Sequence, residues 1–497
     1  MALTTRTRRF ESVLIAVIVS TVGLGCLCLG TGVAPTAAPS QSVPSATRPL
    51  QSTVQQLQSP TQTLMNIQGQ LDSEGPWLLV ETDQGLWAAN PDGSGLTQLT
   101  NVDYWHGDLQ YAVQPGGSQV VFISPGTYDF HNMALNLLRL PDGKVTKLAN
   151  LTSAQTEAYA DSSPGDPGFE ALRAVGEQRS YAWSPDGTRL AFSGVMDGPS
   201  AEVYLYDGTA QNIVRVSHDD AQDFWPSWSP DGQHLLFLGA QGFGTGAGMV
   251  MAGVWVAAGD GNNATLLYPT DSSGEEIVGW LDNNTAILDT WGVVCGPANL
   301  RTYNVVNMQQ TILSQDCITG ASADLRGGTA MFSNDSGLYM LTADNPAPAL
   351  VSQEADAQID PWGADDYVFT VRFPNGGIAT YGNTSDMDHQ VSPVNVPSGE
   401  LGVAMYGLIW GWTSQDDSQP GAWITGPGLN IGQIYTGKAR LPVWDAHNNL
   451  IFFAQEDTGG FDLYRTTFDG YYQDVRVVNY LEAEVLNVVW LGLRSPY

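Results

Sequence analysis

Two twelve-residue stretches of this chain are nearly the same. YAWSPDGTRLAF runs from Tyr181 to Phe192, and PSWSPDGQHLLF runs from Pro226 to Phe237, 45 residues later (226 − 181). Ser184-Pro185-Asp186-Gly187 fits a type I turn, with proline presetting φ and glycine taking the left-handed position after it. Such a turn makes a tight hairpin. The alternating residues on each side read as strands. A lone hairpin is marginal in water, so a repeated one must find its neighbours among its own copies.

The same rhythm runs along most of the chain. PWLLVET, GLWAANPDG and GLTQLT are three strands from Trp77 onward, and LQYAVQPGG, QVVFISPG, ALNLLRLPDG and KVTKLANLT are four over 109–152. The two opening copies start four-strand groups at 180 and about 223, and weaker copies start near Ile277, Ser322, Ile359, Gly407 and Leu441. Tryptophan recurs at the end of the first strand, as Trp183, Trp228, Trp280, Trp362 and Trp444. Four antiparallel strands in every repeat is the pattern of β-propeller blades. The expected fold is all-β: one propeller over 76–497 with about eight blades, within a range of seven to nine. The chain ends on an apolar strand, 485–493, without a partner of its own. It is expected to pair beside 77–82 and close the first blade, which leaves no exposed edge.

YAWSPDGTRLAF, PSWSPDGQHLLF and LWAANPDGSGLTQLT resemble the repeats of TolB-like, WD40-like β-propellers. The resemblance is strong over 77–268 and diffuse over 275–493. It implies a secreted propeller of a kind that often binds other proteins. The small α/β domain that precedes the propeller in TolB has no counterpart here.

Residues 1–30 read as a signal peptide or a membrane or lipoprotein anchor. Arg6, Arg8 and Arg9 precede the apolar run VLIAVIVSTVGLGCLCLG, a basic region followed by a hydrophobic one. Gly23–Cys26 looks like a lipobox with Cys26 as the lipidated residue. Lipoprotein, uncleaved anchor and cleaved signal all fit, and all put the remainder outside the cytoplasm. Residues 31–75 are rich in Pro, Ser, Thr and Gln and read as a disordered stalk. With 51 acidic against 19 basic residues the formal charge is −32, which argues against nucleic acid. Membrane contact is expected only through the N-terminus.

Between strands, the short turns (SPDG, NPDG, LPDG, QPGG) belong to one face and the long, varied loops to the other. Variable loops on a rigid scaffold collect binding residues. Asp219, Asp220, Asp223 and Trp225, with Tyr128, Phe130 and Trp105, are therefore the expected contacts for a cationic or neutral protein or glycan. No cofactor is expected apart from Ca²⁺, which such carboxylates could ligate. Turn capping by these acids and gap filling by these aromatics is the alternative use of the same residues.

A catalytic reading has less behind it. No G-x-S-x-G nucleophile elbow occurs, and no two histidines have H-x-x-x-H spacing. His106 and His131 could still converge with aspartates, which would suit a metal-assisted polysaccharide lyase or hydrolase. Finally, Cys295 and Cys317 lie equidistant from a turn near Asn307. Residues facing each other across a hairpin come within disulfide range, so the two are expected to pair.

Overall fold

The structure is a computed structural model. It describes residues 70–100, 109–126, 129–163, 165–176, 179–243, 249–269, 274–290, 300–324, 326–364, 367–374, 377–382, 394–395, 400–403, 410–425, 432–445, 449–455, 460–468 and 472–492. Residues 59–497 form one compact unit, to which all that follows refers.

The two opening repeats fold into the same turn, down to its side-chain bonds. The Gly187 N–H donates to Ser184 O and the Gly232 N–H to Ser229 O, each at 2.8 Å. The two glycines have φ of +68° and +66°, where a Cβ would be strained. The Asp186 and Asp231 carboxylates accept from the N–H of Thr188 and Gln233 at 3.1 and 3.0 Å. The Ser184 and Ser229 hydroxyls accept from the N–H of Arg189 and His234, both at 2.9 Å. Two polar side chains thus close each hairpin through bonds local to the turn.

Among the described residues, nine antiparallel sheets follow one another along the chain, eight four-stranded and one three-stranded. The third sheet runs from Tyr181–Trp183 to Asn212–Arg215 and the fourth from Gln222–Trp228 to Thr265–Pro269. The fifth runs from Glu276–Trp280 to Gln310–Ser314, and the ninth from Ala439–Trp444 to Tyr472–Leu481. The first sheet takes its fourth strand from the other end of the sequence. Val485–Leu491 pairs antiparallel with Trp77–Thr82, with Trp77 opposite Leu491 and Val80 opposite Val488.

Two segments depart from the sequence reading. In the second sheet, where LQYAVQPGG was expected to be a strand, Leu109–Ala112 is a helical turn, and only Val113 bridges to Val120. Leu109, Ala112 and Val113 are all buried, an i, i+3, i+4 spacing that suits a helix and not a strand. The long stretch after residue 151, read as a loop, holds the helix Pro167–Val175. Asp166 caps it by accepting from the Gly168 N–H at 3.0 Å, with proline at the first helical position.

The recurring tryptophans join consecutive sheets. Trp183 Nε1 donates to Ala112 O at 3.1 Å and Trp228 Nε1 to Ala182 O at 3.0 Å. Trp280 Nε1 donates to Ser227 Oγ at 3.2 Å. Trp490, in the C-terminal strand, donates to Trp444 O at 3.1 Å, so the ninth and first sheets meet through the same bond as the third and fourth. Leu78, Val80 and Val485 share a buried cluster with Ile451, Phe453 and Leu463, which is apolar packing across that junction.

The junction of the third and fourth sheets also buries acids. Glu202 and Asp223 are both fully buried. Glu202 pairs with Arg215 and accepts from the Ser200 and Ser217 hydroxyls at 2.8 and 2.7 Å. Neither oxygen of Asp223 has a hydrogen-bond partner. Burial, followed by the charge of Asp219, pushes the Asp223 carboxyl well above its usual 3.8, which favours the neutral form.

Replacing Trp490 by Phe keeps an aromatic ring but trims the indole and removes the donor. The expected loss is about 0.5–1.5 kcal/mol in urea unfolding, the same as for Trp228→Phe. A neutral Trp490→Phe beside a destabilising Trp228→Phe would show that the C-terminal strand is not held like the others.

Asp223 predicts a pH trend. Its raised folded-state value means that its contribution is full below the usual 3.8 and is lost as pH rises. Asn cannot ionise, so the Tm of the natural protein should fall with pH relative to that of Asp223→Asn. Parallel Tm–pH profiles would contradict the assignment.

Candidate functional site

The first strands of successive sheets present their side chains to one cavity of 430 Å³. Trp183 comes from the third sheet, Trp225 and Trp228 from the fourth, and Ile277 and Trp280 from the fifth. Tyr111, from the helical turn of the second unit, adds a further aromatic face, and Arg179, Asp324 and Arg326 supply charge. Pro115, Pro185 and Pro230 of the short turns complete the wall. The cavity thus reaches the formulaic turns as well as the strands, whereas the sequence reading placed binding on the long loops alone.

Most of the wall is rigid for reasons already given. The indole N–H groups of Trp183, Trp228 and Trp280 are committed to neighbouring sheets, so these rings offer faces and edges. Arg189 lies 4.9 Å over the Trp228 ring and donates to Gly232 O at 3.0 Å, pinning it from behind. Arg326 Nε lies 3.2 Å from the Asp324 carboxylate.

Trp225 is the irregular member. Its φ is +54°, rare for a residue with a bulky side chain, and it precedes Pro226, which disfavours the right-handed helical region at the residue before it. The pairing register shifts here, between Phe224 and Ser227, so Trp225 and Pro226 form a bulge in an inner strand. Its ring meets Phe224 edge-on at 5.3 Å, and its buried Nε1 has no hydrogen-bond partner. Strained residues of this kind cost about 1–3 kcal/mol and cluster at functional sites.

The other expected contacts scatter. Asp219 is half-buried and caps its own turn, accepting from the Ala221 N–H at 2.8 Å. Asp220 is exposed. Asp223 and Phe130 are corrected: both are buried and cannot meet a partner directly. Each lies inside a strand, Gln222–Trp228 or Asp129–Arg139, and not in a loop. Phe130 packs edge-on against Phe169 of the capped helix at 5.5 Å. Trp105 and Tyr128 lie outside the described residues, as do Cys26, Cys295 and His106. Cys317 is exposed and disulfide-bonded; with Cys295 outside the described residues, their pairing stands as a proposal.

His131 sits between two acids, with Nδ1 2.9 Å from Asp129 Oδ1 and Nε2 3.4 Å from Asp161 Oδ2. The hydrogen bond to Asp129 raises its pKa. All three side chains are well exposed, so water screens their attraction strongly. Among the described residues no group of three His, Cys, Asp or Glu side chains is arranged to hold a metal ion.

One cluster had no local signature in the sequence. Fully buried Glu275 is paired with Arg301 and accepts from the Tyr268 hydroxyl at 2.8 Å. Arg301 donates to Thr290 Oγ1 at 2.7 Å. Burial pushes the Glu275 carboxyl up, against the opposing Arg301 charge. The partners lie 26 residues apart in the chain, so only the fold brings them together.

No known family profile matches the chain. A stretch of 105 residues is 36% identical to the Tol-Pal system protein TolB of Alcanivorax borkumensis, covering 20% of this chain and 24% of that protein. The chain thus matches about a quarter of the length of that curated relative. Among solved structures, a eukaryotic initiation factor superposes with a TM-score of 0.51 at 11% identity, covering 86% of this chain and 100% of that one. That likeness concerns the fold alone. TolB from Acinetobacter baumannii gives a TM-score of 0.30 at 14% identity, over 57% of this chain and 66% of that one. In its repeats and in its succession of four-stranded antiparallel sheets, this chain resembles the TolB-like β-propeller proteins.

Proposed function

We propose that this chain is an extracytoplasmic β-propeller that acts as a binding scaffold, with its partner seated in the inner-strand cavity around Trp225. The observation that carries this reading is the strained, bulged Trp225 on a wall of otherwise fixed aromatic rings. Rigid aromatics supply large contact area at little entropic cost and dominate interface energetics. The partner is a protein segment or a glycan chain, either of which can lie against ring faces. The net charge of −32 favours long-range approach of cationic partners, while the arginines of the cavity read the local contact.

The proposed assembly has nine blades, one more than the eight expected from the repeats, closed into a ring through the first sheet. The Trp490–Trp444 bond and the pairing of Val485–Leu491 with Trp77–Thr82 support closure. Export is proposed from the N-terminal sequence, and tethering through residues 1–30 goes with it. Among the described residues no helix is long and apolar enough to cross a membrane. The polysaccharide-cleaving alternative draws no specific support from the described residues.

The test compares variants against a partner captured from envelope extract by residues 70–497. Trp225→Ala should weaken binding by about 2 kcal/mol or more, roughly thirtyfold in Kd, with Arg326→Gln as a second cavity variant. Asp220→Ala, on the exposed loop, should bind normally. Loss of binding in Asp220→Ala with both cavity variants unaffected would move the site to the long loops.

A further inference from the structure

The sixth sheet runs from Ile318–Ala323 to Ala349–Ser352, and its first short turn repeats the opening motif with the charge at the third position reversed. Asp324 and Gly327 stand where Ser184 and Gly187, or Ser229 and Gly232, stand in the two opening copies. The Gly327 N–H donates to Asp324 O at 2.8 Å, the Asp324 N–H donates to Thr329 O at 3.0 Å, and Gly327 has φ of +75°. The third position is Asp186 in one opening copy and Asp231 in the other, and each caps its own turn. Here it is Arg326. The first position, serine in those copies, is Asp324. Its carboxylate accepts from the Arg326 backbone N–H at 3.1 Å and from Arg326 Nε at 3.2 Å.

This turn presents a cation to the cavity, since Asp324 and Arg326 both line it. Buried Asp324 takes Nε, and Nη1 and Nη2 have no hydrogen-bond partner among the described residues. The turn is fixed from two sides. A Cβ on Gly327 would come within 2.7 Å of Pro230 Cγ, and the Gly328 N–H donates to Leu281 O at 2.6 Å. Pro230, and Trp280 next to Leu281, are themselves part of the wall. The other cavity arginine, Arg179, is engaged by Glu276 and lies over the Tyr111 ring.

The rest of the wall offers apolar faces and few polar atoms, because the indole N–H groups of Trp183, Trp228 and Trp280 are already donated. A sugar would bring several hydroxyls against this wall, and each one left unpaired carries a desolvation cost. An acidic side chain within a protein segment would bring peptide groups from both sides of it. A chain end brings one carboxylate and one side chain. The two Nη groups match the two oxygens of a carboxylate, and the tryptophan faces match an apolar side chain.

We propose that Arg326 sets the specificity of the cavity, and that it holds the C-terminal carboxylate of a protein partner ending in an apolar residue. This rests on the reading of the cavity as the binding site. The net charge of −32 favours approach of a partner that is basic overall, and Arg326 then holds its terminus locally.

The probes are acetyl-Ala-Leu-Phe with a free carboxyl, the same peptide as its C-terminal amide, and trigalacturonate as an acidic sugar. Each is titrated calorimetrically into the full chain at neutral pH. The free acid should bind at least about tenfold more tightly than the amide, since hydrogen bonds to a charged group are the stronger ones. Arg326→Gln, a change at a partly exposed side chain, should bind acid and amide alike. Arg326→Lys keeps the charge without the fork and should fall between the two. No binding of the free acid, equal binding of acid and amide, a preference that survives in Arg326→Gln, or tighter binding of trigalacturonate than of the free acid would each overturn the proposal. If acid and amide bind equally while Trp225→Ala still loses the captured partner, this proposal fails and the cavity reading stands. Normal partner capture by Trp225→Ala removes the cavity reading, whatever the peptides do.

Discussion

An indole N–H donated from the first strand of one sheet to the sheet before it is the bond on which the rest of this architecture depends. Four-stranded antiparallel sheets satisfy their own backbone internally but say nothing about how neighbours meet. Here Trp183, Trp228 and Trp490 each reach a backbone carbonyl of the preceding unit. The bond fixes the angle of each ring as well as the spacing of the sheets. A buried indole N–H without an acceptor would carry a desolvation cost, so only one docking of the sheets satisfies it. The aromatic wall of the cavity follows from this, because the rings that lock the sheets are the rings that line it.

Trp225 departs from that rule, and the contrast is informative. The first copy of the repeat has one tryptophan in its first strand, Trp183, and the second has two, Trp225 and Trp228. Trp228 makes the joining bond, which leaves Trp225 to a bulge and to the cavity. An added residue that re-aims a side chain next to a site is a common use of bulges. Acids accompany this region: buried Asp223 precedes Trp225 by two residues, and buried Glu275 and half-buried Asp289 belong to the next sheet. The low dielectric that makes these groups costly also makes their protonation state consequential.

Much of the fold was legible because its signals are local. The SPDG turns, the alternation beside them and the spacing of the tryptophans each depend on a few adjacent residues. The unpartnered apolar strand at 485–493 pointed correctly to 77–82, since a strand edge must be paired. Legibility ended where strands ran further than their turn signals. SHDDAQDFW reads as a solvated acidic loop, yet the strand begins at Gln222 and buries Asp223. Phe130 was misread for the same reason. Leu109–Ala112 was misread because four residues hold too little of a period to separate helix from strand. The pairs Glu202–Arg215 and Glu275–Arg301 left no local trace, since only the docking of strands brings them together.

The central claim is that Trp77–Thr82 and Val485–Leu491, far apart in the chain, form one sheet. Amide hydrogen exchange measures this most directly. If Val485–Leu491 completes the first sheet, its amides should exchange as slowly as those of Trp77–Thr82 and open together with them. Rapid exchange of the C-terminal strand, with Trp77–Thr82 still protected, would contradict the account.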